Sequence, residues 1–215
     1  MMNRLTDQQV REAVTLFESP GQIALTHFEG RFVLLGRAYD AEAAAEINRI
    51  KSRSAGRPLV MCFPNLNLAR RANLSSPLLS LLPYFQDRVT ISIPAPPEIS
   101  VAAHRGVGMI GVRWVTADPL SQLMLALDEP LLISSANPTG RPSARHLEDL
   151  EGYGMQDLPL IGPPPPSSEP SVLRRATVVG LVHSKLKVLN PGDTSLSEIK
   201  GEWERLKYVG EVLLG

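Results

Sequence analysis

Short apolar runs at residues 22–26, 32–35, 59–63, 89–93, 109–115 and 130–133 alternate along this chain with segments that carry helix start signals. That alternation restricts the fold more than any other feature, because interleaved strands and helices pack as an α/β domain. Thr6 and Gln9 form a capping box ahead of Val10, Ala13, Val14 and Phe17, and Ser19-Pro20-Gly21 stops that first helix. Asp40 caps a helix over 41–51 with Ile47 and Ile50 facing inward. A helix over 78–85 follows a polar loop carrying Arg70 and Arg71. Asp118 at the cap and Pro119 at the first helical position start a helix to 127, and Ser143 caps one running towards Leu150. Residues 177–182 and 187–189 read as a closing hairpin, and Ser195 with Glu198 opens a C-terminal helix to about residue 208. The strand pairs lie too close in sequence for helical crossovers, so the sheet is expected to be mixed.

The chain has 215 residues, 43% hydrophobic and 20% charged, which suits one core and predicts a single domain over 1–215. Lys and Arg total 22 against 22 Asp and Glu, so no global field marks a nucleic-acid or membrane binder and any basic surface must be local. The single cysteine, Cys62, sits in an apolar run and reads as a small buried hydrophobe. The histidines at 27, 104, 146 and 183 lack metal-ligand spacing, so no protein-built metal site is expected. A polar start and the absence of a run near 20 apolar residues predict a soluble, cytoplasmic protein without a membrane span. Residues 163–166 are four prolines, which fit a stiff surface connector and neither helix nor central strand.

Three segments carry possible chemistry. The run Leu131-Leu132-Ile133-Ser134-Ser135-Ala136-Asn137-Pro138-Thr139-Gly140 drives an apolar strand into a turn of small hydrogen-bonding side chains. Hydroxyls, an amide and turn N–H groups at a strand's carboxyl end suit phosphate or carboxylate oxygens, although the same residues also serve plain turns. Lys51 and Arg53 stand at the end of the helix over 41–51, where cations favour the dipole or can clamp a polyphosphate. Arg113 lies in an apolar strand, so its guanidinium must reach solvent, a carboxylate or an anionic ligand.

Taken in order, these segments resemble the YrdC-like family, which includes the L-threonylcarbamoyladenylate synthases. The family carries K-x-R before P-L, then V-T, V-R-V-P, T-S-A-N-x-S-G, and S-T-V-V-D ahead of R-x-G. The counterparts here are Lys51-Ser52-Arg53 with Pro58-Leu59, Val89-Thr90, Val112-Arg113-Trp114-Val115, and Ser134-Ser135-Ala136-Asn137-Pro138-Thr139-Gly140. The tail supplies Ala176-Thr177-Val178-Val179-Gly180 and Asn190-Pro191-Gly192. The correspondence is strongest over 21–199. It implies an α/β fold of α+β type, with a twisted mixed sheet flanked by helices and a large basic cleft. There ATP with Mg2+, L-threonine and bicarbonate would become threonylcarbamoyl-AMP and pyrophosphate, for t6A modification of tRNA through a separate tRNA threonylcarbamoyl transferase. Double-stranded RNA is a further partner described for the family. By position, Lys51 and Arg53 would hold the phosphates and act in catalysis together with Ser135. Thr90 and Asn137 would hold the nucleotide, and Arg113, Ser134 and Ser135 the substrate oxygens.

The departures are as definite as the matches. The N-terminal signature P-T-D-T-x-Y-G-L falls near residues 26–35, where the proline, the hydroxyl pair and the tyrosine are missing. Asp87-Arg88 replaces G-P, and Ala176, Gly180 and Asn190 replace the tail's serine, aspartate and arginine. The last change removes a cation whose charge-assisted contact would contribute about 1.5–3 kcal/mol, and Arg174 or Arg175 is a candidate to replace it. Three outcomes stay open on sequence: an adenylate-forming synthase, a diverged relative binding nucleotide, double-stranded RNA or tRNA without turnover, and a scaffold with a protein partner.

Overall fold

The computed structural model describes residues 4–52, 57–74, 76–164 and 173–214, with side chains described as far as residue 206. Helix α1 (Asp7–Leu16) starts on the expected Thr6–Gln9 capping box. Strands β1 (Ile23–Phe28) and β2 (Arg31–Arg37) form a tight antiparallel hairpin. Glu29 at φ 53 and Gly30 at φ 78 make its two-residue turn, the left-handed pair whose twist matches the strands. In α2 (Ala41–Ile50), Asp40 accepts from the N–H groups of Glu42 and Ala43 and, through its other oxygen, from Gly21.

Strand β3 (Val60–Phe63) leads into two departures from expectation. The loop carrying Arg70 and Arg71 is a short helix, α3 (Leu66–Arg71), capped by the Asn65 side chain. The helix expected over 78–85 is a 3-10 helix (Pro77–Leu81) followed by turns, because Pro83 has no N–H to continue an α-helical ladder. Strand β4 (Val89–Pro94), a short α4 (Val101–His104) and β5 (Met109–Trp114) follow. Helix α5 (Leu120–Leu127) begins one residue later than expected, with Pro119 at the cap position and no side-chain cap bond, so Asp118 is not its cap. Strand β6 (Leu131–Ser135) runs two residues further than expected and carries both serines. Ser143 does not cap α6 (Leu147–Gly152) either. The Asp149 carboxylate gathers the N–H groups of Arg145 and His146, which fixes the start at His146. After a two-residue β7 (Leu160–Ile161), the tail forms the expected hairpin, β8 (Thr177–Val182) and β9 (Lys185–Asn190). Helix α7 (Leu196–Leu214) extends beyond residue 208, and Ser195 Oγ accepts from the N–H of Glu198 in its first turn.

The strands make one mixed sheet in the order β7-β1-β2-β6-β3-β5-β4-β8-β9, flanked by helices. The pairs β1/β7, β3/β5 and β4/β8 are parallel and the others antiparallel. Continuous apolar strands feed cores on both faces: Phe32 and Leu34 enter the larger one and Val33 and Leu35 the smaller. The smaller core packs beneath α1 and α5 over β1, β2 and β6. Further along the same face the floor changes character. Cys62 is opposite Arg113, and Thr90 is opposite Val178, so register brings polar side chains to the surface beyond the helices. Among the described residues, no helix is long and apolar enough to cross a membrane.

Candidate functional site

A cavity of about 650 Å3 opens over that floor. Val33, Val60, Thr90, Arg113, Ser134 and Ser135 line it from five adjacent strands, with Val178 and Asn190 continuing the floor on β8 and β9. Sequence reasoning placed Thr90, Arg113, Ser134 and Ser135 in one site, and the structure brings these four together. Arg175 lines the same cavity beside Asn190, so a guanidinium stands near the position where the sequence lacks one.

Lys51 and Asn137 lie behind this wall rather than on it. Lys51 is 3% exposed, and its ammonium donates to the Ser135 carbonyl, to the Asn137 carbonyl at 2.8 Å and to Asn137 Oδ1 at 3.1 Å. The Lys51 carbonyl accepts from the N–H of Thr139 at 2.8 Å, so side chain and backbone both pin the turn after β6. Asn137 Oδ1 also accepts from Ser135 Oγ at 2.5 Å, and Asn137 Nδ2 donates to the carbonyls of Pro138 and Arg141. This network orients the turn; both serines line the cavity, and the pleat puts Ser135 on the same face of β6 as Ile133 and Ser134 on the face of Leu132. Arg53 lies outside the described residues, as do Pro165 and Pro166 of the proline run.

Arg113 resolves its burial by meeting a carboxylate. It is 4% exposed, and its Nη1 donates to Glu29 Oε2 at 3.0 Å while Nη2 donates to Glu29 Oε1 and to the Asp87 carbonyl. Its guanidinium carbon lies 5.6 Å from the centre of the Phe28 ring. The buried Nε has no hydrogen-bond partner. A fork-to-fork pair this deep is strong only while both partners stay, and removing one costs about 3–5 kcal/mol. Arg31 approaches Glu29 at 3.5 Å and donates to the Arg174 carbonyl. Burial pulls Arg31 below the usual guanidinium range, the Glu29 carboxylate opposes that, and the charges of Arg113 and Arg175 add to it.

Sequence reasoning missed Glu29, Arg31, Arg141 and Arg145. Arg141 and Arg145 directly follow the Thr139-Gly140 turn, and that proximity to a suspected anion site was the signal available. Among the described lining residues, five arginines, at 31, 113, 141, 145 and 175, face one carboxylate. The whole chain is neutral, so this concentration of like charge is local. Guanidiniums crowded at a half-open wall repel one another, and an anion between them relieves that repulsion. Among the described residues the lining is rich in guanidinium and hydroxyl groups, an arrangement that suits positioning and charge stabilisation. A second cavity of about 550 Å3 shares Pro58, Val60, Thr90, Val178 and Asn190 and extends over Leu59, Val107, Met109 and Leu189, with Arg57 and Ser92 also on its lining.

The fold and site therefore define an α/β protein with an arginine-lined cleft on one face of a mixed sheet. The Sua5/YciO/YrdC family model, described as telomere recombination, matches residues 19–192, and the chain belongs to that family. The threonylcarbamoyl-AMP synthase of Pseudomonas syringae pv. syringae (strain B728a) is 30% identical over 159 residues, which is 68% of this chain and 81% of the relative. That of Pseudomonas savastanoi pv. phaseolicola (strain 1448A / Race 6) is 31% identical over 149 residues, 63% and 76%. The fold superposes on P. abyssi Sua5 complexed with L-threonine with a TM-score of 0.74 at 21% identity, covering 92% of this chain. This chain spans 58% of that Sua5 chain. On E. coli YciO the TM-score is 0.72 at 17% identity, covering 92% of this chain and 96% of the other.

Proposed function

We propose that the chain is a nucleotidyltransferase of the threonylcarbamoyl-AMP synthase type. It takes ATP, L-threonine and bicarbonate to threonylcarbamoyl-AMP, pyrophosphate and water, and so feeds t6A modification of tRNA through a separate tRNA threonylcarbamoyl transferase. The observation that carries this reading is that five arginines line one cavity together with Ser134 and Ser135 at the end of β6. The identity to two threonylcarbamoyl-AMP synthases supports it.

The threonine nitrogen adds to the bicarbonate carbon with loss of water, and a carbamate oxygen then attacks the α-phosphorus and displaces pyrophosphate. Charge gathers on phosphate and carbamate oxygens, so fixed cations and hydroxyls lower the barrier. In this reading Arg141, Arg145 and Arg175 face the phosphates, while Lys51 acts on them through the turn it holds; Arg53, outside the described residues, keeps the phosphate role that its place in the family motif implies. Thr90 sets the nucleotide, with Asn137 acting like Lys51 through the turn, and Arg113, Ser134 and Ser135 take the substrate oxygens. The carboxylate available among the described lining residues, Glu29, is committed to arginine, so Mg2+ enters as the ATP complex, held by phosphate oxygens.

Glu29 on Arg113 and asparagine at 190 favour a second reading, a relative that binds nucleotide, double-stranded RNA or tRNA without this turnover. One assay separates the two. Purified protein with ATP, L-threonine and bicarbonate should release pyrophosphate and yield threonylcarbamoyl-AMP. No product with ATP binding intact removes the synthase reading, and absence of ATP binding removes the nucleotide site from both.

A further inference from the structure

We propose that Glu29 is a resident counterion that decides which ligands the inner end of the cleft accepts. Its carboxylate occupies the Arg113 fork, and a planar oxyanion, either an amino-acid carboxylate or bicarbonate, binds there by displacing it. The choice of these two ligands rests on the synthase reading above.

Four observations carry the proposal. Glu29 stands at the first position of a two-residue turn with φ 53, a place that asparagine, aspartate or glycine fills with less strain. A glutamate there is justified by where its side chain goes, not by the turn. Its side chain is 8% exposed and reaches a guanidinium 5% exposed, using both oxygens on both terminal nitrogens. That is the geometry an incoming carboxylate or bicarbonate would adopt, so ligand and glutamate compete for one fork. Arg113 is still short of an acceptor, because its buried Nε has none. Finally, the displaced carboxylate has somewhere to go. Glu29 also lines a neighbouring cavity of about 310 Å3, where Arg88, Arg174 and Arg175 stand with Asp87 and Asp193, three cations against two carboxylates. The Glu29 carbonyl accepts from the Arg174 N–H at 3.2 Å, which ties its backbone between the two cavities, and in this proposal a change of side-chain rotamer takes the carboxylate from one to the other.

The consequence is selectivity by competition. The intact protein should hold small carboxylates weakly at this end, because each must replace an intramolecular partner at very high effective concentration. Ligands of the same shape that carry an amide in place of the carboxylate gain nothing from removing Glu29, since they cannot take over its charge.

Calorimetry on the full chain and on Glu29→Gln tests this with three separate probes: L-threonine, bicarbonate and L-threoninamide, in which an uncharged amide replaces the carboxylate. Glu29→Gln should bind L-threonine, bicarbonate or both about tenfold more tightly or better, with L-threoninamide bound no more tightly. Which of the two gains identifies the oxyanion that displaces Glu29. Unchanged or weaker binding of both, or an equal gain for L-threoninamide, overturns the proposal. Should Glu29→Gln fail to fold, the wild type decides by NMR of carbon-labelled glutamate. The Glu29 side-chain carboxyl resonance should move on titration with either anion, and a resonance unmoved at the highest concentration overturns the proposal. A wild type that makes threonylcarbamoyl-AMP while Glu29→Gln gains no affinity defeats this inference and leaves the synthase reading. A gain in affinity without turnover in either protein does the reverse.

Discussion

Lys51→Met removes an ammonium while nearly preserving the length and volume of the side chain, so it isolates what that charge does beneath the turn after β6. In the native protein the 3%-exposed ammonium supports the Ser135 carbonyl, the Asn137 carbonyl and Asn137 Oδ1. Two of these acceptors keep other donors: the Ser135 carbonyl accepts from the N–H of Asn137 at 3.0 Å, and Oδ1 accepts from Ser135 Oγ at 2.5 Å. The Asn137 carbonyl loses the donor that holds it inward. A buried acceptor deprived of its partner costs about 1–3 kcal/mol, and each charge-assisted bond given up nominally adds about 1.5–3 kcal/mol. Relief from burying an ammonium offsets part of that sum. The expected net loss is about 3 kcal/mol. With a urea m-value near 3 kcal/mol/M for a chain of this size, the unfolding midpoint should fall by about 1 M at little change in m. ATP affinity, measured on the folded fraction, should fall as well, because the turn that aims Ser135 loosens. A Lys51→Met variant within about 0.5 kcal/mol of wild type would refute the argument, because it would mean that the Thr139 N–H to Lys51 carbonyl bond and the strand ladder hold the turn unaided.

Burial pushes the Cys62 thiol up to about 12 from 9.0, so the native protein should resist alkylation near neutral pH and react fully only on unfolding. The folded state holds that proton more tightly than the unfolded state, so stability should decline as pH rises above 9, and Cys62→Ala should flatten the decline in alkaline denaturation curves. Burial, with the nearby His146 charge, lowers His27 below 6.5. The unfolded chain therefore binds the extra proton, stability should fall as pH drops below 6.5, and His27→Phe should lessen that loss in thermal melts compared across pH. At Gly192 an added Cβ would lie 2.4 Å from the Arg175 carbonyl oxygen and 2.5 Å from the nitrogen of Thr177. Gly192→Ala should force those backbones apart, cost about 1–3 kcal/mol by urea unfolding, and weaken ATP binding by displacing Arg175 from the cleft wall.

Long periodic or capped segments declared themselves in the sequence because each carries its own physical signal. Thr6 with Gln9, Asp40 before an alanine-rich run, and the β-branched tail all formed as their local chemistry requires. The elements that escaped, α3, α4 and β7, are six residues or fewer and are held by surroundings rather than by periodicity. The cap at α6 shows the same limit. Ser143 is an acceptable cap by type, yet Asp149 reaching back to two backbone N–H groups decides the boundary. The site divides along a similar line. Thr90, Arg113, Ser134 and Ser135 were recognisable because each lies in or at the end of a strand, and strand order alone brings them onto one floor. Glu29 was not, since a charged residue at a hairpin tip ordinarily points to water. Its partner Arg113 lies 84 residues away on β5, with β6 and β3 standing between that strand and β2. Only the tip, which projects beyond the ladder, can reach across those strands. The contact that sets the charge of the inner cleft therefore depends on how far one turn overhangs its neighbours, a quantity fixed by register and not by residue type. The arginine in an apolar strand was the visible half of the pair, and its need for a counterion was already readable from the cost of burying it alone. The missing half could have been sought among carboxylates on turns able to overhang the sheet.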